Sequence, residues 1–147
     1  MGDGGKGKLV LHHSELRVYK LAFECASEIF ELSKSWPEEE KYSLTSQIRK
    51  ASRSVCANIA EAWRKRRYAA HFVSKLSDAD AESAETQTWL DFAHHCGYLD
   101  DGGAARLRSG YDVVCGSLVK MMNRPEPWCG PSSVKEDDAA YGESASD

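Results

Sequence analysis

Apolar residues recur at three- and four-residue intervals in four stretches of this chain, near 14–34, 42–66, 69–95 and 101–123. That period places them along one side of a helix, and no stretch alternates with period two over a strand's length. The pattern predicts an all-α domain. Trp36-Pro37 closes the first helix, because proline disfavours helical geometry in the residue before it. Gly97 is expected as a left-handed cap on the third, and Asp100 or Asp101 as the cap opening the fourth. The break between the second and third falls around Arg67–Ala69. Short connections favour antiparallel neighbours, which makes an up-down antiparallel four-helix bundle the expected architecture.

The four helices are not equivalent. In the first, Arg17, Lys20, Glu24, Ser27, Glu28, Glu31 and Lys34 share one arc of roughly 120°, and nearly everything else is apolar. A stripe of about 100° is enough to face one core, so the excess requires a second surface, as in a homo-oligomer. The second helix carries the stripe Leu44, Ile48, Ala51, Val55, Ile59 and Ala62. Its other side mixes small and basic residues: Ser46, Arg49, Arg53, Ala57, Ala60 and Arg64. That side reads as a solvated face, a subunit contact or an anion-binding surface. Asn58 and Gln47, at the stripe's edge, are expected to fix helix register. In the third helix Ser83 and Thr86 interrupt the stripe Phe72, Leu76, Ala79 and Leu90, and Asp80 is placed to pair with an arginine across the bundle. Trp89 and Phe92 point away from the stripe, toward an outer partner. The fourth helix, with Leu107, Tyr111, Val114, Leu118 and Met121, is an ordinary bundle member.

At 147 residues, 41% hydrophobic and 29% charged, the chain fits one domain with one core. The net charge of −4 is unevenly spread. Six acids against Arg124 and Lys135 give residues 124–147 a net of −4, and Asp3, Lys6 and Lys8 give 1–8 a net of +1, which leaves −1 for the body. The composition divides the chain into a flexible head (1–13), the bundle (14–123) and a disordered acidic tail (124–147). No run approaches the ~18 apolar residues of a membrane span, and the N-terminus is too weakly apolar for a signal peptide. Cysteines at 25, 56, 96, 115 and 129 form no CxxC pair, which favours a reducing cytoplasm.

Signals for catalysis are weak. A di-metal carboxylate bundle needs two Glu-x-x-His motifs, and the chain offers only Asp91-x-x-His94. His94, His95 and Cys96 are adjacent, so on a helix they point about 100° apart and chelate one ion poorly. His12-His13-Ser14 reads as a capped helix entry. No nucleophile elbow, Walker loop or dinucleotide fingerprint occurs, and Cys25 and Cys115 sit in apolar arcs. The expectation is a protein that is not an enzyme and has no metal and no cofactor.

The strongest local signal is basic. Arg49, Lys50, Arg53, Arg64, Lys65, Arg66 and Arg67 fall within 19 positions, interrupted by Glu61 alone among acids. Such a patch raises local phosphate affinity, and Trp63 and Tyr68 flank its second cluster, Arg64–Arg67, as stacking groups. Against this, a sequence pI of 5.7 is low for a nucleic-acid-binding domain, and the acidic tail is able to cover the patch in cis. Three accounts stay open: nucleic-acid binding, a solvated helix end, and protein docking.

Tyr42–Arg64 reads YSLTSQIRKASRSVCANIAEAWR. This segment resembles the signature of the four-helix-bundle proteins encoded within intervening sequences of bacterial large-subunit ribosomal RNA genes. Leu44, Thr45, Gln47, Ile48, Arg49, Lys50, Ala51, Ser54, Val55, Ala57, Asn58, Ile59, Ala60 and Glu61 all fit it. Glu85-Thr86-Gln87, Trp89-Leu90-Asp91 and Gly97-Tyr98-Leu99 fit the family's third helix and turn, and the likeness covers about residues 14–122. Cys56 and Ala62 depart from the proline and glycine common there, so the second helix is expected to be straighter. The resemblance implies an up-down bundle assembling into a ring, typically a pentamer, with no catalytic residues. Relatives include accessory proteins of diversity-generating retroelements, which bind nucleic acid and associate with a reverse transcriptase. It therefore implies structured RNA or DNA, or a polymerase, as partner, with Arg49, Lys50, Arg53 and Arg64 as candidates for the positive surface.

Overall fold

The structure is a computed structural model that describes residues 9–130. Four long helices dominate it: α1 (Arg17–Ser33), α2 (Leu44–Arg64), α3 (Ala69–His95) and α4 (Asp101–Asn123). There is no strand among the described residues. α2 packs most extensively on α3, α3 on α4, and α1 on both α2 and α4. Each helix thus touches its neighbours in sequence, and α1 and α4 close the circuit around one core.

The helix ends follow local chemistry. Gly97 adopts φ +81°, where a side chain would be strained, and ends α3. Asp100 caps α4 by accepting from the Gly103 N–H at 2.6 Å. His12 Nδ1 accepts from the Ser14 N–H and caps a short 3₁₀ turn, His13–Glu15, ahead of α1. A second 3₁₀ turn, Glu38–Glu40, sets three carboxylates before the positive N-terminal end of α2. Glu40 Oε1 accepts from the Ser43 hydroxyl at 2.7 Å and from the Leu44 N–H at 3.4 Å.

The core is built from the expected stripes. All six residues of the α2 stripe are buried, as are Leu107, Tyr111, Val114, Leu118 and Met121 of α4. Ser83 and Thr86 are buried in the middle of α3, because each hydroxyl donates to a carbonyl of its own helix, Ala79 and Glu82. α1 contributes Val18, Ala22, Cys25 and Ile29 to the core. The rest of its apolar arc lies outside, with Tyr19 and Phe30 half-buried and Phe23 exposed.

Several expectations are corrected. Asp80 bonds to the Cys115 thiol rather than to an arginine, and burial followed by that bond pushes the thiol up to about 11. Asn58 donates to the Ser54 carbonyl one turn back, and Gln47 is exposed, so neither fixes register between helices. Structure also continues past 123: α5 (Glu126–Cys129) follows, and Trp128 stacks on Phe72 with ring centroids 6.3 Å apart. At the other end Val10 packs against the core. The remainder of the expected head and tail, 1–8 and 131–147, lies outside the described residues. No helix among the described residues is long and apolar enough to cross a membrane.

Candidate nucleic-acid interface

Two grooves meet on the outer side of α2. A basic one of about 590 Å³ runs along its first four turns, lined by Lys41, Tyr42, Thr45, Ser46, Arg49, Lys50, Arg53, Ser54 and Ala57. A mainly apolar one of about 550 Å³ lies between α1 and α2, lined by Tyr19, Phe23, Ala26, Phe30, Cys56, Ala57 and Ala60, with Ser27, Glu31 and Arg53 as its polar members. The small residues of α2 leave the space that the aromatic rings of α1 border. Arg53 and Ala57 line both grooves and join them.

The basic residues do not form one continuous patch. Arg49, Arg53 and Arg64 recur at helical spacing on one face of α2, but Arg49 and Arg64 are fifteen residues apart, roughly 22 Å along the axis. The first cluster sits at the start of α2. The second, Arg64, Lys65, Arg66 and Arg67, occupies the end of α2 and the turn to α3. Glu61, the acid between them, pairs at 3.4 Å with Lys75 of α3.

The seven cations are also differently employed. Arg49 is half-buried: Nε donates to Ser33 Oγ at 2.8 Å, Nη2 to the Phe30 carbonyl at 3.3 Å, and the guanidinium lies 4.6 Å from the centre of the Phe30 ring. Arg53 shares that ring at 5.5 Å but is exposed. Arg66 lies 3.8 Å over the Trp63 ring and donates to the Trp63 carbonyl. Arg67 sits 5.4 Å from the Tyr68 ring. Lys50, Arg64 and Lys65 are exposed. A phosphate backbone lying in the basic groove would therefore meet Lys50, Arg53 and Lys41, while Arg49 is largely spent on holding α1.

Lys41 and Tyr42 extend this surface beyond the seven expected cations. Tyr42 is 84% exposed and lies 5.4 Å from Lys41 Nζ. The signal was present: counting back from Arg53, the spacing 53, 49, 46, 42 continues the same helical face into the preceding turn. Trp89 and Phe92, also singled out, form their own pair with centroids 6.0 Å apart, and Phe92 is 53% exposed.

Other candidate chemistry is tied up internally. His94 Nε2 lies 2.7 Å from Asp101 Oδ1, and Asp91 pairs with Arg108. Burial pushes the Cys25 and Cys56 thiols up to about 11, so neither is an activated nucleophile at neutral pH.

Fold and surface together define a helical-bundle protein with an open groove that is apolar along α1 and basic along α2. The chain belongs to the 23S rRNA-intervening sequence protein family, whose model matches residues 14–120. Among solved structures it is similar to a protein of unknown function from the S23 ribosomal protein family of Bacteroides thetaiotaomicron VPI-5482. The two are 23% identical, with a TM-score of 0.63 over 71% of this chain and 97% of that one, a likeness of fold. No curated protein matches the chain at a significant level.

Proposed function

We propose that this chain is a non-enzymatic, cytoplasmic, homo-oligomeric bundle that binds structured RNA through the basic outer face of α2. The observation that carries the proposal is the groove in which Lys41, Lys50 and Arg53 stand together beside the exposed ring of Tyr42. Cations beside an accessible aromatic ring suit a phosphate backbone with unstacked bases. The family's name, which refers to 23S rRNA, supports RNA over DNA. The helices run up-down: the short connections favour it, as do the α3–α4 links 94 to 101, 91 to 108 and 87 to 112. Assembly is through the α1/α2 groove, closing into a ring that is a pentamer. The support is the apolar excess of α1, which no helix among the described residues covers: Phe23 is exposed and Tyr19 and Phe30 are half-buried. A ring repeats each basic groove, so modest contacts add by avidity.

A second reading is favoured by the position of Arg53, which lines the apolar groove as well as the basic one. In it the arginines hold subunits together, and the assembly is a scaffold for a polymerase or reverse transcriptase partner. One pair of substitutions separates the two. Lys50→Glu with Arg53→Glu is measured for RNA affinity across salt concentrations and for mass by light scattering. Loss of affinity in an intact oligomer, with a salt slope lower by about one per lost phosphate contact, supports RNA binding. Dissociation supports the scaffold. Unchanged affinity and unchanged mass remove both.

A further inference from the structure

On the other side of α1, a groove of about 770 Å³ runs between the start of α1 and the end of α4. Leu16, Val18 and Met121 form its apolar floor, and Trp128 of α5 walls it. Its rim is basic. Arg17, Lys20 and Lys120 line it against one acid, Glu15. None of the three cations has a carboxylate partner among the described residues.

We propose that this groove is the docking site of the chain's own C-terminal segment, residues 131–147. Three observations select that occupant. First, the described chain ends at Gly130, two residues beyond a side chain that already walls the groove, so the segment leaves at the groove's edge. Second, the charges are complementary. Residues 131–147 hold Glu136, Asp137, Asp138, Glu143 and Asp147 against Lys135, a net of −4. The N-terminal residues 1–8 are net positive and are disfavoured by the same rim. Third, the acids stay close to the point where the segment leaves. Glu136–Asp138 lie six to eight residues past Gly130, a reach of at most roughly 20–29 Å. Val134 and Tyr141 flank the acids and supply apolar contacts for the floor.

Single exposed ion pairs contribute little, and tethering changes that balance. A segment anchored at the groove is held at an effective concentration in the millimolar range, so weak pairs and a shallow apolar floor are enough. The groove shares no lining residue with the α1/α2 groove or the basic groove, so the segment docks whether or not subunits meet there. The proposal does not depend on RNA binding.

The test uses the full-length protein. Carbodiimide cross-linking of a mixture of ¹⁴N and ¹⁵N copies is expected to join Glu136, Asp137 or Asp138 to Lys20 or Lys120 within single-isotope pairs. Chymotryptic cleavage after Tyr141 is expected to accelerate about tenfold on Arg17→Glu/Lys20→Glu/Lys120→Glu, as tethered docking predicts. Adding Glu136→Lys/Asp137→Lys/Asp138→Lys to that variant is expected to restore protection. Arg17, Lys20 and Lys120 are exposed, and far-ultraviolet circular dichroism verifies the helix content. Links chiefly to Lys41, Lys50 or Lys65 place the segment along α2 and its flanking turns and overturn the proposal. Links chiefly between isotopically different copies assign the groove to a second chain and overturn it equally. Cleavage indifferent to charge reversal does so too.

Discussion

Arg49 donates from Nε to the Ser33 hydroxyl at 2.8 Å, and this one bond spans from the second turn of α2 to the last turn of α1. Nη2 reaches the Phe30 carbonyl, one of the helix-end acceptors left without an intrahelical backbone donor, and the guanidinium lies over the Phe30 ring. Ser33 is itself buried and donates back to Phe30, so the three residues form a closed unit. Arg49 is therefore first a structural residue, whatever else its charge does.

Removing it should loosen α1 from α2. Arg49→Ala is expected to lower stability by about 2 kcal/mol, the scale of hydrogen bonds to a charged group together with a cation–π contact. Arg49→Lys should recover less than half, because an ammonium cannot direct donors to Ser33 and Phe30 while lying flat on the ring. Urea denaturation measures both. A loss within about 0.5 kcal/mol of wild type for the alanine variant, the range of ordinary surface changes, would refute the structural role. It also follows that Arg49→Glu is a poor probe of RNA contact, since it disturbs the fold.

How far the sequence discloses this molecule depends on which interactions are periodic. Helical spacing exposed the α2 stripe, Ser83 and Thr86 at the α3 face and the wide arc of α1, because each depends only on neighbours in the same helix. Gly97 and Asp100 were legible for the same reason: their cap chemistry is local. What spacing could not supply was the partner across the bundle. Asp80 meeting Cys115, and Arg49 meeting Phe30 and Ser33, are set by the register between helices, which no single helix encodes. The basic stretch misled in the same way. Seven charges close in sequence became two clusters because the helix rises between them, and Glu61 was drawn off to Lys75 on α3. Trp128 was masked by composition: prolines, glycine and acids around it read as tail, and its contact with Phe72 is long-range.

Gly110 lets α4 pack close against Cys25 of α1. A Cβ there would stand 2.7 Å from Cys25 Sγ, a separation that forces one of the two to move. Gly110→Ala gains helix propensity of about 1 kcal/mol yet overpacks a buried thiol at about 1–3 kcal/mol, so the net expectation is a loss of about 1 kcal/mol. Cys25→Ala opens the space. The double variant should therefore be more stable than the sum of the singles predicts, by at least about 1 kcal/mol in a double-mutant cycle. Strict additivity would mean that the two positions do not touch.

Tyr111 is fully buried, and its hydroxyl has no hydrogen-bond partner among the described residues. Burial holds its proton on far above the usual tyrosine range. An unpaired buried hydroxyl costs about 1–3 kcal/mol in lost hydration. Tyr111→Phe keeps the ring and removes that cost, so it should be neutral or stabilising by up to about 1 kcal/mol, against the usual sign for a core substitution. A clear loss of stability on thermal unfolding would show that the hydroxyl is satisfied in solution.

Tyr98 donates its hydroxyl to Glu40 Oε2 at 2.9 Å, linking the turn after α3 to the turn before α2. The bond shifts both groups. It is the first cause that raises Tyr98, to about 12, and hydrogen bonds from Ser43 and then Tyr98 lower Glu40. A tyrosine whose folded value is raised contributes stability that is fully present below its unfolded value near 10 and is lost as pH rises toward 12. A carboxylate whose folded value is lowered contributes stability present above its unfolded value near 4.5 and lost as pH falls through the lower folded value. The link is thus worth most between those limits and weakens at both ends. Tyr98→Phe preserves the ring against Trp36, whose centroid is 5.9 Å away, and removes only the donor. The stability difference between wild type and Tyr98→Phe should form a plateau across neutral pH and shrink in acid and in alkali. Parallel stability curves from about pH 3 to about pH 12, with no narrowing at either end, would show that Glu40 and Tyr98 do not share a proton-dependent bond.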